Sequence, residues 1–84
     1  MRSIMAALNE LNMDRQMILD HLEIAERHVS QGILHVERQR QIVAELARDG
    51  LPTALSKAIL ARFEELLAVH IVDRDRLLRL REST

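Results

Sequence analysis

Two long apolar stripes separated by a single break constrain this chain more than any other feature. In the first, mostly apolar or small residues recur at alternating steps of three and four: Leu22, Ala25, Val29, Gly32, Val36, Gln39, Val43 and Leu46. After Asp49-Gly50-Leu51-Pro52 a second stripe occupies residues 59–80. A period near 3.5 means helices that bury one side, and one break between two such stripes predicts an antiparallel helical hairpin.

The break itself has the chemistry of a helix end followed by a helix start. Arg48 falls in a last turn, Gly50 suits the left-handed position after it, and Leu51 suits the hydrophobic contact of a Schellman ending. Pro52 blocks continuation and Thr53 fits the N-cap of a helix over about residues 54–80, with 82–84 as a frayed tail. The first stripe extends backward in phase through Ile18, Leu11, Leu8 and Ile4, interrupted by Arg15. Continuous phase favours one helix of about 45 residues starting near Ser3. The alternative places a separate helix or extension in residues 1–12 and a cap at Asn12. No β-type alternation occurs, so the expectation is a single all-α domain.

Composition narrows the function classes. A net charge of −1 gives no global field toward nucleic acid or an anionic membrane. The absence of cysteine removes disulfides, thiolate metal sites and thiol nucleophiles. The N-terminal residues do not read as a signal peptide, and the longest charge-free stretches fall short of the ~18 residues that span a bilayer. A cytoplasmic protein without a membrane partner is expected. Phe63 is the single aromatic residue, which argues against base-stacking surfaces and aromatic-lined pockets.

Matching the stripes about the turn pairs Val43 with Ile59, Gln39 with Phe63, Val36 with Leu66, Gly32 with His70 and Ala25 with Leu77. The same register sets Glu45 near Lys57, Arg38 near Glu64, Arg27 near Asp75, Glu26 near Arg76 and Glu23 near Arg79. It also sets two like-charged pairs, Arg40 with Arg62 and Glu37 with Glu65. Exposed pairs contribute only ~0.2–1 kcal/mol each, so they select register more than they create stability.

A hairpin alone cannot use all this apolar surface. Around the waist, Ala68-Val69-His70-Ile71-Val72 is nearly apolar on every side and lies opposite Gly32-Ile33-Leu34. A helix apolar all round is a buried helix. The expected remedy is a homodimer forming a four-helix bundle, with Gly32, Ile33, Leu34, Leu67, Val69, His70, Ile71 and Val72 at its interface. The alternative is that these are tolerated surface aliphatics. Residues 1–17 lack a hairpin partner in this register and must pack on the partner subunit, fold back, or bind something else.

Candidate chemistry is sparse. His21, His28 and His35 recur every seven residues, a rise of about 10.5 Å, too far for two of them to share an ion within one helix. A metal site would need convergence across helices, for example of His28 or His35 with His70 and Asp73, or through a dimer axis; the alternative is amphipathic seam-edge side chains. His70 sits on an apolar turn and is expected to be buried and partnered, so that protonation near or below about pH 6 loosens the waist. Arg38, Arg40, Arg48 and Arg62 gather toward the turn, and Arg74, Arg76, Arg79 and Arg81 toward the open end. A nucleic-acid-binding hairpin is conceivable on that basis, but a charge run on a helix is usually a solvated face. No Gly-rich phosphate loop, nucleophile context or Glu-x-x-His repeat is present, and no cofactor is implied.

The stretch AERHVSQGILHVERQRQIVAELARDG followed by ARFEELLAVHIVDRDRLL resembles a group of short proteobacterial proteins. The shared features are the AERHV start, the QRQIV-x-EL run before the Gly turn, the Phe63-Glu64 pair ahead of His70, and the DR-x-RLL ending. The resemblance covers roughly residues 24–78; residues 1–12 fall outside it, and Met13-Asp14-Arg15 matches where such proteins often begin. It implies a small bacterial helical protein and carries no activity. The sequence therefore predicts a non-enzymatic interaction or scaffold module that binds itself and an unidentified protein partner. A nucleic-acid regulator and a His-lined metal-binding or pH-responsive bundle stand as alternatives.

Overall fold

The computed structural model describes residues 3–83, and the side chains of all of these except 6–13. Two helices make up the described structure: α1 spans Ile4–Arg48 and α2 spans Ala54–Ser83. They pack side by side as an antiparallel hairpin with overall extents of 72 × 15 × 15 Å. The long dimension is set by α1, because 45 helical residues rise about 67 Å. α1 is unbroken from Ile4, so the in-phase stripe does define one helix and not a helix with a separate N-terminal piece. α2 stays helical through Ser83, whose hydroxyl donates to the Leu80 carbonyl at 2.9 Å, where a frayed tail was expected from residue 82.

The connection folds as its residues dictate. Gly50 adopts φ +70°, a left-handed conformation that costs an L side chain about 1–2 kcal/mol. The Leu51 amide then donates to the Leu46 carbonyl at 2.9 Å and the Gly50 amide to the Ala47 carbonyl at 3.2 Å, the two bonds of a Schellman ending. Thr53 takes the N-cap position of α2, its carbonyl accepting the first helical bond from the Lys57 amide at 2.9 Å.

The α1 seam lies where the stripe puts it. Leu22, Ala25, Val29, Val36 and Gln39 are buried, and Gly32, Val43 and Leu46 are half-buried. Leu22 and Ala25 pack with Leu77 as the apolar cluster of the open end, and Leu78 lies against them. Near the turn the seam is polar: the buried Gln39 amide donates to the Ser56 carbonyl at 3.0 Å, and Ser56, also buried, bonds back to the Thr53 carbonyl.

α2 keeps Phe63, His70 and Leu77 in the seam as expected but departs from the expected register, and from the expected facing at Ile59 and Leu66. His28 faces His70, His35 faces Phe63, and a methyl placed on Gly32 would meet Leu67, so each α1 residue lies opposite a position about one turn closer to the turn than expected. The inward stripe of α2 is Ser56, Leu60, Phe63, Leu67, His70, Arg74, Leu77 and Arg81, all buried or half-buried. Ile59 and Leu66, expected in the seam against Val43 and Val36, are exposed. The connection supplies the reason. Leu51-Pro52-Thr53 is non-helical and leads back along the last turn of α1, so Ala54 starts level with about Ala44 and not with Arg48.

The shift also redistributes the charges. Arg40 Nη2 reaches Glu64 Oε1 across the hairpin at 3.8 Å, taking the place expected for Arg38. Arg27 pairs with Glu23 on its own helix and Arg76 with Asp73 on its own.

Candidate functional site

The four histidines of the chain come from positions 21, 28, 35 and 70, and the fold places them along one side of the hairpin. Heptad spacing puts His21, His28 and His35 on the same edge of α1, and His70 reaches that edge from α2. The ring centroids of His28 and His70 are 4.9 Å apart with planes inclined by 49°. Two turns closer to the connection, His35 lies over Phe63 with centroids 5.7 Å apart. Between these two pairs sits a half-open cleft of about 120 Å³ lined by His28, Gln31, Gly32, His35, Phe63, Leu66, Leu67 and His70.

Gly32 forms the floor of that cleft. An added Cβ would lie 3.0 Å from Leu67 Cδ1 and 3.7 Å from its Cα, so the glycine lets α2 approach α1 at the waist. Mid-helix glycine costs about 1 kcal/mol relative to alanine, and close approach is its compensation here. Two shallower clefts continue the same side. One is lined by Gln16, Met17, Asp20, His21 and Ile24, the other by His35, Arg38, Gln39, Ile42 and Phe63. Together they form a long face in which imidazoles alternate with aliphatic side chains.

The expected waist patch is divided by this geometry. Gly32 and Leu67 meet inside the hairpin. Ile33 and Ile71 fall on the flank opposite the histidines, while Leu34, Val69 and Val72 point away from the hairpin and are 63%, 63% and 66% exposed. Successive helical residues turn by about 100°, so a run of neighbours in sequence cannot share one face. His70, expected to be enclosed in the core, is half-buried at the rim of the cleft.

The metal candidates His28, His35, His70 and Asp73 are only partly brought together. His28 and His70 meet, whereas Asp73 Oδ1 binds the Arg76 guanidinium at 3.0 Å. Among the described residues no group of three or more His, Cys, Asp or Glu side chains is placed to hold an ion. The arginines do not gather into one basic face: Arg40, Arg62, Arg74 and Arg76 each lie within 3.8 Å of a carboxylate. Sequence reading missed that all four histidines share a side. The heptad spacing gave three of them, but the fourth depended on the register of α2.

Exposed apolar residues continue at the overhang. Ser83 lies level with about Gln16, so α1 projects beyond α2 from there toward Ile4, and Ile4, Met5 and Met17 are exposed. The side chains of Leu8, Leu11 and Met13 lie outside the described residues. Among the described residues no helix is long and apolar enough to cross a membrane. Comparisons with protein-family models, with curated proteins and with solved structures find no match.

Proposed function

We propose that this chain works as a self-associating helical hairpin, a binding or scaffold module and not an enzyme, in which a second copy covers the histidine-lined face. The observation that carries this reading is surplus surface. The chain exposes 6610 Å², whereas a compact monomer of 9.7 kDa exposes roughly 5,100 Å². The excess of about 1,500 Å² exceeds the ~800 Å² that each partner contributes to a standard interface, and is in the range of a permanent homodimer. Five buried apolar side chains among the described residues make a small core, and association is one of the ways small scaffolds supplement theirs.

The face has the composition an interface centre favours. Ile24, Ile42, Ile59, Phe63 and Leu66 supply apolar area, and the imidazoles carry polar tips on apolar bodies. Nucleic-acid binding gains no comparable support, because four of the arginines that suggested it have carboxylate neighbours. Sedimentation equilibrium on the full chain tests the proposal. A dimer at micromolar concentration is expected, with Leu66→Asp shifting it to monomer; a monomer at every concentration up to the millimolar range defeats it.

A further inference from the structure

The centre of the histidine-lined face carries an inference that rests on the self-association just proposed. His28 and His70 come from different helices and hold their ring centroids 4.9 Å apart. Two imidazoles bound to one tetrahedral ion, with metal–nitrogen bonds of about 2.0–2.1 Å, place their centroids about 5 Å apart. One hairpin therefore holds two imidazoles from different helices at the spacing that two ligands of one ion have. It supplies no third ligand among the described residues, and Asp73 is engaged by Arg76.

Symmetry would supply two more. A two-fold interface is isologous, so residues at the middle of the face meet their own copies across the axis. On α1 the aliphatic residues of this face run from the exposed Met17 to the half-buried Ile42, and their midpoint falls between Val29 and Ser30. On α2 the row begins at Leu55 and ends at Leu80, and its midpoint falls between Leu67 and Ala68, less than one turn from His70. Both midpoints fall within one helical turn of the His28–His70 pair. A dimer that covers the face evenly brings two such pairs together.

We propose that two copies of this chain join with His28 and His70 of each around one divalent transition-metal ion, with Zn²⁺ the best fit. Four neutral imidazoles in a tetrahedral arrangement suit Zn²⁺, a borderline-soft ion with no geometric preference of its own. His21 and His35 sit one heptad to either side of His28, too far along the helix to join the same ion. They serve as internal controls.

Zinc chloride is titrated into the full chain, prepared without a histidine tag and stripped by a chelator, with calorimetry and sedimentation equilibrium read in parallel. The expected result is one ion per two chains and a dimer dissociation constant at least tenfold lower with zinc. His28→Gln and His70→Gln each abolish the zinc-dependent shift, and His21→Gln leaves it intact. Cobalt substitution gives the intense visible absorption of a tetrahedral ion, and circular dichroism checks that each variant keeps its helicity. One ion per chain, binding retained in the double His28→Gln/His70→Gln variant, or no binding at micromolar zinc overturns the inference. A dimer that persists with chelator while zinc has no effect sinks the metal site and leaves self-association standing. A chain that stays monomeric with and without zinc sinks both.

Discussion

The two sides of α2 differ in the opposite sense from that of an ordinary amphipathic helix. The stripe turned toward α1 is Ser56, Leu60, Phe63, Leu67, His70, Arg74, Leu77 and Arg81, half of it polar or charged. The stripe about 100° round the helix, on the flank beside the histidines, is Leu55, Ile59, Arg62, Leu66, Val69, Asp73, Arg76 and Leu80, and five of its eight residues are large aliphatics. Leu55 and Val69 are 76% and 63% exposed and Ile59, Leu66 and Leu80 38–39%, so the outer stripe is partly open to water in the single hairpin. The difference separates two jobs. The inner stripe closes the hairpin with a short apolar cluster and a polar clamp, while the outer stripe offers apolar area that only another molecule can bury.

The most damaging way to test the inner side is Leu77→Ala. Leu77 is 5% exposed and packs with Leu22 and Ala25. Its truncation is expected to cost about 3 kcal/mol in urea unfolding, at every protein concentration. On the outer side, Leu66→Asp or Ile59→Asp is expected to weaken association at least a hundredfold, about 2.8 kcal/mol, because a carboxylate would be buried without a partner. Sedimentation equilibrium reads that loss, and circular dichroism at high protein concentration should change little. If Leu66→Asp instead leaves the association constant within threefold of the parent, the outer stripe is merely exposed and the division of labour fails.

That division explains what was legible in the sequence. The α1 seam was readable because its flanks are polar: Glu26, Arg27, Glu37, Arg40 and Gln41 leave one stripe that can face inward. The turn was readable because Gly50, Leu51 and Pro52 admit few alternatives. α2 was not, because its waist is apolar on several sides and periodicity then favours whichever stripe holds the most aliphatics. At Ile59 and Leu66 that stripe is the outer one, whereas Phe63, His70 and Leu77, also expected in the seam, do face α1. The true seam is decided by the path of Leu51-Pro52-Thr53 and by the Gln39–Ser56 clamp, neither of which leaves a periodic signal. The candidate site inherited the same ambiguity, since the meeting of His28 with His70 follows from the register alone.

The clamp gives the next test in size. Gln39→Ala removes the 3.0 Å bond to the Ser56 carbonyl together with the packing of the Gln39 stem. A loss of about 1–2 kcal/mol is expected in urea unfolding. The shift should be the same for the parent and for a Leu66→Asp background, because distant sites on the inner and outer sides add. Gly50→Ala acts on the connection itself. Forcing an alanine to φ +70° should cost about 1 kcal/mol, with helicity retained.

The smallest expected effect probes the flank opposite the histidines. The Arg40–Glu64 pair joins the helices at 3.8 Å, but its side chains are 62% and 48% exposed. Exposed pairs of this kind contribute between about 0 and 1 kcal/mol, and added salt screens them. Arg40→Ala should therefore shift the urea midpoint by little more than the error of the measurement, and the shift should vanish in 0.5 M salt (a Debye length of only about 4 Å). Its effect on association is the sharper readout. Arg40 projects on the side away from His28 and His70, so the dimer dissociation constant should stay within threefold of the parent. A tenfold or larger change would place Arg40 in the interface. The second copy would then sit on the Ile33–Ile71 flank, and the aliphatic stripe beside the histidines would need a different occupant.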